Sequence, residues 1–441
     1  MLYHKIAFVL FFITLIILCS CQSKEVSPAS PNIIIILADD LGYGDLDCYG
    51  NSMGDTPNLD RMAQGGLRFT DFHSNGAVCS PTRAALLSGL YQQKVGIEAV
   101  VHATKFRHTG LSPGTFTIAS YLKSSGYSTG IAGKWHLGYD TAYSPLNYGF
   151  DQFKGYVSGN VDYHSHIDGA GNYDWWAQKE SIEDTGYSTD LITSYALSFI
   201  QENKDKPFFL YVAHEAPHFP YQGREDPPER SLSGSFNMNG SPENLQLTYR
   251  EMISIMDEGI GDIFKALDQN SILENTLVIF LSDNGANDKG SNAPCKGYKG
   301  SLWEGAHRVP AIAYWKDRIA PGTSNELLMG MDLFPTIVAL TGNSLPDHFE
   351  MDGVDFSSLL LDGKSMEEER AVFWRYKGLR SVRSGPWKFL VQEDSSYLFR
   401  LSDDPAEEIN LIREYPVQAD SLRKLLLDWE AEVNTYTLST Y

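Results

Sequence analysis

Asn32-Ile33-Ile34-Ile35-Ile36-Leu37-Ala38-Asp39-Asp40 is the stretch on which the fold turns. Its apolar, largely β-branched run shows no alternation, so it reads as a strand buried on both faces of a mostly parallel sheet. Residues 277–281, leading into Ser282-Asp283-Asn284-Gly285, have the same character, and residues 207–213, leading into His214-Glu215-Ala216-Pro217-His218, supply a third such strand. Helical patterns at 190–201 and 247–267 lie among them. That alternation predicts a doubly wound α/β layout. Ligands bind outside the carboxyl ends of the strands in such sheets, so Asp39, Asp40, Asp283 and Asn284 are expected along one functional edge.

Past residue 345 the texture changes. Residues 371–374, 379–382, 387–391 and 397–401 read as short strands between Gly, Ser and charged turns, and 417–433 as a closing helix. The expected organisation is a main body at 32–345 and a small antiparallel sheet with one helix at 346–441, packed on it. No internal repeat or long low-complexity tract interrupts the chain.

With 441 residues the chain can bury a large core. A formal net charge of -21 argues against a nucleic-acid partner, so a polyanionic ligand would need a local basic pocket. At the N-terminus His4 and Lys5 precede an apolar run at 6–18 that is short for a membrane span and has the layout of an export signal. Leu18-Cys19-Ser20-Cys21 then resembles the end of a bacterial lipoprotein signal, with 1–20 removed, Cys21 lipidated and 21–31 a polar tether. An ordinary cleaved signal peptide is the alternative. On either reading the protein is exported; on the first it is a membrane-anchored lipoprotein, periplasmic or at the cell surface. Cys48, Cys79 and Cys295 remain in the body, and export leaves a Cys48–Cys295 disulfide open.

Cys79-Ser80-Pro81-Thr82-Arg83 enters a short apolar run. Pro81 suits the first turn of a helix, which would set Cys79 at the positive end of the helix dipole, with Arg83 one turn on. Taken alone, the segment is equally a capped helix with a buried free cysteine. Asp39, Asp40, Asp283 and Asn284 are hard oxygen donors of the kind Ca²⁺ or Mg²⁺ requires, although Asp283-Asn284-Gly285 alone could be a turn. Adjacent Asp39 and Asp40 repel unless a cation or an Arg lies nearby. Lys134 and His136, two apart, would point to one side of an extended segment. His218, set among Pro217, Phe219 and Pro220, is expected in a rigid loop. Lys299 sits in the loop Lys296-Gly297-Tyr298-Lys299-Gly300.

Together these segments resemble the formylglycine-dependent sulfatases of the alkaline-phosphatase superfamily. The resemblance rests on N-I-I-I-I-L-A-D-D-L-G-Y-G-D at 32–45, T-P-N-L-D at 56–60, the Cys79 segment, G-I-A-G-K-W-H-L-G at 130–138, A-P-H-F-P at 216–220, L-S-D-N-G at 281–285 and K-G-S-L-W-E-G-A-H-R-V-P at 299–310. It implies a sulfuric ester hydrolase on a large mixed, mostly parallel sheet flanked by helices. It further implies that a formylglycine-generating enzyme or an anaerobic sulfatase maturase oxidises Cys79 to formylglycine (3-oxoalanine), whose hydrate is the nucleophile. A divalent cation, usually Ca²⁺ rather than Mg²⁺, would be held by Asp39, Asp40, Asp283, Asn284 and modified Cys79. By the same resemblance Arg83 holds the modified residue, Lys134 and Lys299 grip sulfate, His218 protonates the leaving oxygen and His136 assists the return to aldehyde. Where the family commonly reads E-G-G-x-R, this chain has Glu304-Gly305-Ala306-His307-Arg308; Ala306 requires negative φ there, and His307 is expected to add a pocket contact.

For substrate, the aromatic and polar stretch at 162–176, with His164 and His166, suits sugar rings and hydroxyls, and His214, Glu215, His102, Arg107 and Arg375 are further candidates. The resemblance favours a sulfate monoester on a glycan or glycosaminoglycan-type carbohydrate. A phosphonate or phosphate ester hydrolase of the same superfamily, and a non-catalytic glycan-binding lipoprotein, are the rival readings.

Overall fold

The computed structural model describes residues 30–438 except 51–54, 233, 235, 236, 238, 348, 367 and 368. The export signal, Cys21 and nearly all of the expected tether lie outside the described residues. In chain order the described strands are β1 (Asn32–Ala38), β2 (Leu67–Phe69), β3 (Phe72–His73), β4 (Ser128–Lys134), β5 (Gln152–Tyr156), β6 (Trp176–Ala177), β7 (Glu180–Ser181), β8 (Phe208–Ala213), β9 (Thr276–Ser282), β10 (Ala311–Tyr314), β11 (Gly322–Ser324) and β12 (Leu328–Met329), then β13 (Ala371–Tyr376), β14 (Leu379–Ser384), β15 (Trp387–Gln392) and β16 (Ser395–Arg400).

β1 lies within a ten-stranded sheet of order β11-β2-β10-β9-β1-β8-β4-β5-β6-β7. It pairs in parallel with β8 on one side and β9 on the other, and the parallel run continues through β4 and β5. β10 runs antiparallel to β9, as does β6 to β5, so the sheet is mixed and mostly parallel. Having no polar side to turn outward, β1 is buried throughout: Ile33, Ile35 and Leu37 join the core on one face, and Ile34, Ile36 and Ala38 the core on the other. Burial of each isoleucine contributes about 1.5–3 kcal/mol.

Helices cover both faces. The Cys79–Ser88 helix presses Ala84, Leu86 and Leu87 into the first core. The Ser188–Asn203 and Leu245–Gln269 helices bury Ile192, Phe199, Met252 and Ile260 in the second. Asn244 caps the latter helix by accepting from the Leu247 N–H. Among the described residues no helix is long and apolar enough to cross a membrane.

The C-terminal strands form the four-stranded antiparallel sheet β13-β14-β15-β16, against which the Pro416–Val433 helix packs. Its core, with Trp374, Phe389, Leu398 and Leu426, also takes in Val78, Ala85, Leu302 and Ala306 of the main body. The small sheet is therefore anchored over the start of the Cys79 helix. Ala306 lies in the short Glu304–His307 helix, with the negative φ its side chain needs. The disulfide left open between Cys48 and Cys295 does not form: Cys48, Cys79 and Cys295 are free thiols. Cys48 faces Asp60 and Arg68, whereas Cys295 faces Arg308 and Glu304.

Candidate active site

β1 ends by delivering Asp39 and Asp40, and β9 by delivering Asp283 and Asn284, at the same sheet edge because the two strands are parallel neighbours in register. Successive strand residues normally point to opposite faces. Asp40 escapes that rule with φ 64°, and its carboxylate joins Asp39, Cys79 and His218 in a group whose ligating atoms lie within 4.8 Å of one another. Strained backbone of this kind costs on the order of 1–3 kcal/mol and persists where surrounding structure imposes it. The surroundings are visible. The Asp40 N–H donates to Asp283 Oδ1 at 3.3 Å, the Asn284 side-chain amide donates to Asp40 Oδ1 at 2.7 Å, and the Asp39 N–H donates to the Ala216 carbonyl at 3.1 Å. Gly285 is required by close approach, since a Cβ there would stand 1.8 Å from the Gly305 carbonyl oxygen.

Cys79 is the first residue of its helix and is buried. Its thiol lies 3.3 Å from Asp39 Oδ1 and 3.4 Å from Lys299 Nζ. Burial, reinforced by the Asp39 carboxylate, pushes this thiol far above its ordinary range. Arg83, one turn along the same helix, lies beneath the carboxylates. Its guanidinium is fully buried and donates to Asp283 Oδ2 at 2.9 Å, Asp39 Oδ2 at 3.3 Å and the Lys134 carbonyl at 3.0 Å, tying the two carboxylates together.

Lys134 pairs with Asp39, and Lys299 with Asp40 Oδ1 at 2.7 Å. Burial alone would raise the Asp39 carboxyl, but Lys134, His218, Arg83 and Lys299 hold it well below the usual range. Burial, and next the Asp39 charge, push Asp283 upward. Burial would lower the Lys299 ammonium, yet Asp40 and its other anionic neighbours hold it well above its ordinary value.

The two histidines present opposite nitrogens. His218 Nδ1 lies 2.6 Å from the Phe219 carbonyl, which can only accept, so Nδ1 carries the proton and Nε2, 3.7 Å from Asp40 Oδ2, is left with the lone pair. Burial, then the Lys299 charge, push His218 down to about 4. His136 Nε2 donates to the Val101 carbonyl at 3.2 Å, and its buried Nδ1 makes no hydrogen bond. Burial, then Lys134, hold this imidazole well below its ordinary value. With φ 56°, His136 leaves the extended geometry that would have put it on the same side as Lys134. A glycine is needed opposite: a Cβ on Gly159 would lie 2.7 Å from His136 Nε2.

Two buried acceptors stand out. Asp40 Oδ2 and Asn284 Oδ1 accept no hydrogen bond, at the same strand ends where Asp39 and Asp283 bring further carboxylate oxygens. Oxygen donors without protons to accept fit a hard divalent cation, and Asp39, Asp40, Asp283 and Asn284 are the residues that would hold it.

Above this floor opens a cavity of 470 Å³, lined by Cys79, His136, His218 and Lys299. Its walls include His102, one of the expected candidates, together with Tyr139, Ser158, Asn160, Tyr376 and Lys377, which sequence reasoning missed. A Lys377-Gly378 turn between two strand patterns signals a hairpin, but nothing local places its tip at the site. His164, His166 and His214 do not line this cavity. His164 bonds the Gly223 carbonyl at 3.0 Å; His166 stacks on buried Trp175 with ring centroids 4.1 Å apart; His214 is fully buried at the end of β8. Of the 162–176 stretch Gly169 lines the cavity, while the rings of Tyr163, His166 and Trp175 are buried and pack inward. Arg375 is held by Glu98 and by Asn434 Oδ1 at 2.8 Å, beside the cavity. His307 lies elsewhere, its Nδ1 2.9 Å from His73 Nδ1 under Trp374, so the expected pocket contact is absent.

Comparison with known proteins matches the described architecture. Residues 31–343 match the sulfatase family model. Arylsulfatase A of Homo sapiens is 34% identical, over 87% of this chain and 83% of that protein. N-acetylgalactosamine-6-sulfatase of Mus musculus is 35% identical, over 82% of this chain and 72% of its own. Among solved structures, Ps i-CgsB in complex with k-i-k-neocarrahexaose superposes with a TM-score of 0.81 at 28% identity, covering 91% of this chain and 92% of that one.

Proposed function

The chain belongs to the sulfatase family and hydrolyses sulfuric esters, and from that premise we propose that its substrate is a sulfate monoester on a carbohydrate, cleaved through residue 79. The observation that carries the reading is the seat of Cys79 at the cavity floor, 3.3 Å from Asp39 and 3.4 Å from Lys299. That seat, at the first residue of a helix and within 4.8 Å of the ligating atoms of Asp39, Asp40 and His218, supports Cys79 as the precursor of formylglycine, made by a maturase that reads the Cys79-to-Arg83 segment. Formylglycine, when formed, supplies an aldehyde hydrate with an oxygen nucleophile. A bound Ca²⁺ supplies Lewis-acid charge that makes such an oxygen more acidic and neutralises sulfate.

The chain's own residues do the rest. Asp39, Asp40, Asp283 and Asn284 hold the cation, and Arg83 fixes Asp39 and Asp283 so that their oxygens converge. Lys134 and Lys299, resting on Asp39 and Asp40, are near enough to residue 79 to meet sulfate oxygens and offset charge as the S–O bond breaks. His218 Nε2 is the nitrogen open to the reacting groups; an arriving anion favours its protonated form, which delivers the proton to the departing sugar oxygen. His136 Nδ1, with no competing donor, accepts a proton on the opposite branch of the cycle. Carbohydrate as the leaving group is supported by the aromatic and hydroxyl-bearing walls Tyr139, Ser158, Asn160 and Tyr376, and by the sugar-directed names among the relatives.

The deciding experiment measures sulfate release from sulfated mono- and disaccharides by protein coexpressed with a maturase, beside paired aryl sulfate and aryl phosphate assays. Sulfate release from a saccharide, with the aryl sulfate turned over faster than the phosphate, is expected; faster phosphate turnover would favour the phosphoester reading. The apolar run before Cys21 supports an exported, lipid-anchored protein. Cys21→Ala should move it from the membrane to the soluble fraction, and unchanged membrane association would remove that part of the proposal.

A further inference from the structure

The catalytic cavity is not the end of the depression in which it lies. A second cavity of 780 Å³ adjoins it, and Val100, His102, Tyr376 and Lys377 line both, so the two form one continuous groove. The outer bay is bounded by the loop at 98–106, the β13–β14 hairpin and Glu430 of the C-terminal helix.

Its charges divide into two sets. Arg375 is locked to Glu98 and Asn434 and lies over the Trp429 ring, and Arg380 stands 3.6 Å from Glu430. These groups hold the wall together and satisfy one another. Lys105 and Lys377 have no carboxylate partner among the described residues, and both line the bay. Lys377 sits at the hairpin tip with φ 47°, followed by Gly378 at φ 82°, a two-residue turn of the kind that holds its strands tightly. Its backbone is thus set at the boundary between the cavities, and its exposed side chain places the ammonium 5.1 Å from the centroid of the Tyr376 ring. On a chain of formal net charge -21, uncompensated lysines in a concave site mark a local preference for anions. Phe106 and Tyr376 add apolar faces on which a sugar ring can rest.

We infer that the outer bay binds the next residue of an extended oligosaccharide through a second anionic group, sulfate or carboxylate, on Lys105 and Lys377, while the scissile sulfate enters the cavity beneath. The inference rests on the carbohydrate reading above and deepens it: the substrate class is a polyanionic oligosaccharide rather than an isolated sulfated sugar. Arg375 is then a positioning residue that braces the bay against Glu98.

The test uses matched oligosaccharides with the same scissile sulfate and a neighbouring residue that is neutral, sulfated or a uronic acid. Wild-type protein should show kcat/KM about tenfold higher on a substrate with an anionic neighbour than on the neutral one, as expected for one charge-assisted contact. The sulfated and uronate arms tell the two anions apart. Lys105→Gln should erase most of that advantage through KM, with kcat little changed, and Lys105→Arg should restore it. Equal kcat/KM across the series, or an advantage untouched by Lys105→Gln, overturns the inference while leaving the carbohydrate reading standing. Hydrolysis of 4-nitrophenyl sulfate without sulfate release from any saccharide overturns both.

Discussion

Asp39, Asp40 and Asp283 face Arg83, Lys134 and Lys299 in one buried nest of charge, and Asp71, Glu304 and Glu407 face Arg308, Arg383 and Lys388 in another. The two match in charge, and in each a histidine is held low by burial. They differ in what is left over. In the second nest Arg383 grips Asp71 with contacts of 2.6 Å, Lys388 bridges Glu304 at 3.0 Å and Glu407 at 2.9 Å, and His73 and His307 bond each other. Even Glu304 Oε2, which accepts no hydrogen bond, has Arg383 at 3.6 Å. In the first nest Asp40 Oδ2 and Asn284 Oδ1 remain unspent, and a cavity opens over Cys79 and Lys299. Equal charge thus makes a clamp between the main body and the C-terminal sheet in one place and the accessible floor of a cavity in the other. Spare acceptors and access decide which.

The sharpest way to break this contrast is at Cys79, the residue proposed to become the nucleophile. Cys79→Ala should lower sulfate-ester turnover roughly 10⁴-fold or more without shifting Tm, measured with an aryl sulfate and by thermal denaturation. Retained turnover would remove residue 79 from the chemistry. The closed nest should respond in the opposite sense. Lys388→Met strands the buried Glu304 and Glu407 carboxylates, and should cost about 3–5 kcal/mol in denaturant unfolding while the folded fraction keeps its kcat. A stable Lys388→Met protein with lost activity would dissolve the distinction.

Acid probes the border of the open nest. Burial pushes His214 down to about 4, and neither ring nitrogen has a hydrogen bond. The unfolded chain takes up that proton near pH 6.5, so the contribution to stability is whole above 6.5 and is lost as pH falls toward 4, about 3 kcal/mol in all. Urea unfolding at pH 7 and pH 5 should show the slope, and His214→Phe should flatten it; an unchanged slope would place the proton elsewhere. Smallest is the effect of the cation. Ca²⁺ returned to chelator-treated protein should stabilise it by about 2.7 kcal/mol at a hundredfold excess over Kd. That gain should vanish in Asn284→Ala yet survive in Lys388→Met; a gain insensitive to Asn284→Ala would move the ion site.

Much of the open nest was legible because its parts are strand ends. The unbroken apolar runs before Asp39 and Asp283 identify buried parallel strands, and such strands deliver their following residues to one edge. Cys79 was legible through Pro81 and the apolar helix behind it, and the C-terminal strands through their turns. The bonds from Arg83 to Asp39 and Asp283 are not legible in the sequence, because a guanidinium can reach any of several acceptors and sequence spacing does not rank them. That His164, His166 and His307 do not line the cavity is illegible for a related reason. A polar, aromatic loop has the same composition whether its rings face a sugar or, as with His166 on Trp175, each other.

By itself the sequence determined the parallel sheet, the helix mouth at Cys79, the small antiparallel sheet and the family to which the chain belongs. These follow from periodicity and short motifs, which act through neighbouring residues. Only the tertiary structure decided that Asp40 and Asn284 keep oxygens without a donor, that the spare oxygen of Glu304 instead faces Arg383, and that Lys377 lines the cavity. Asp40 and Asp283 meet across a separation of 243 residues. Whether a buried charge is spent or available depends on every element that packs around it, and no local pattern contains that sum.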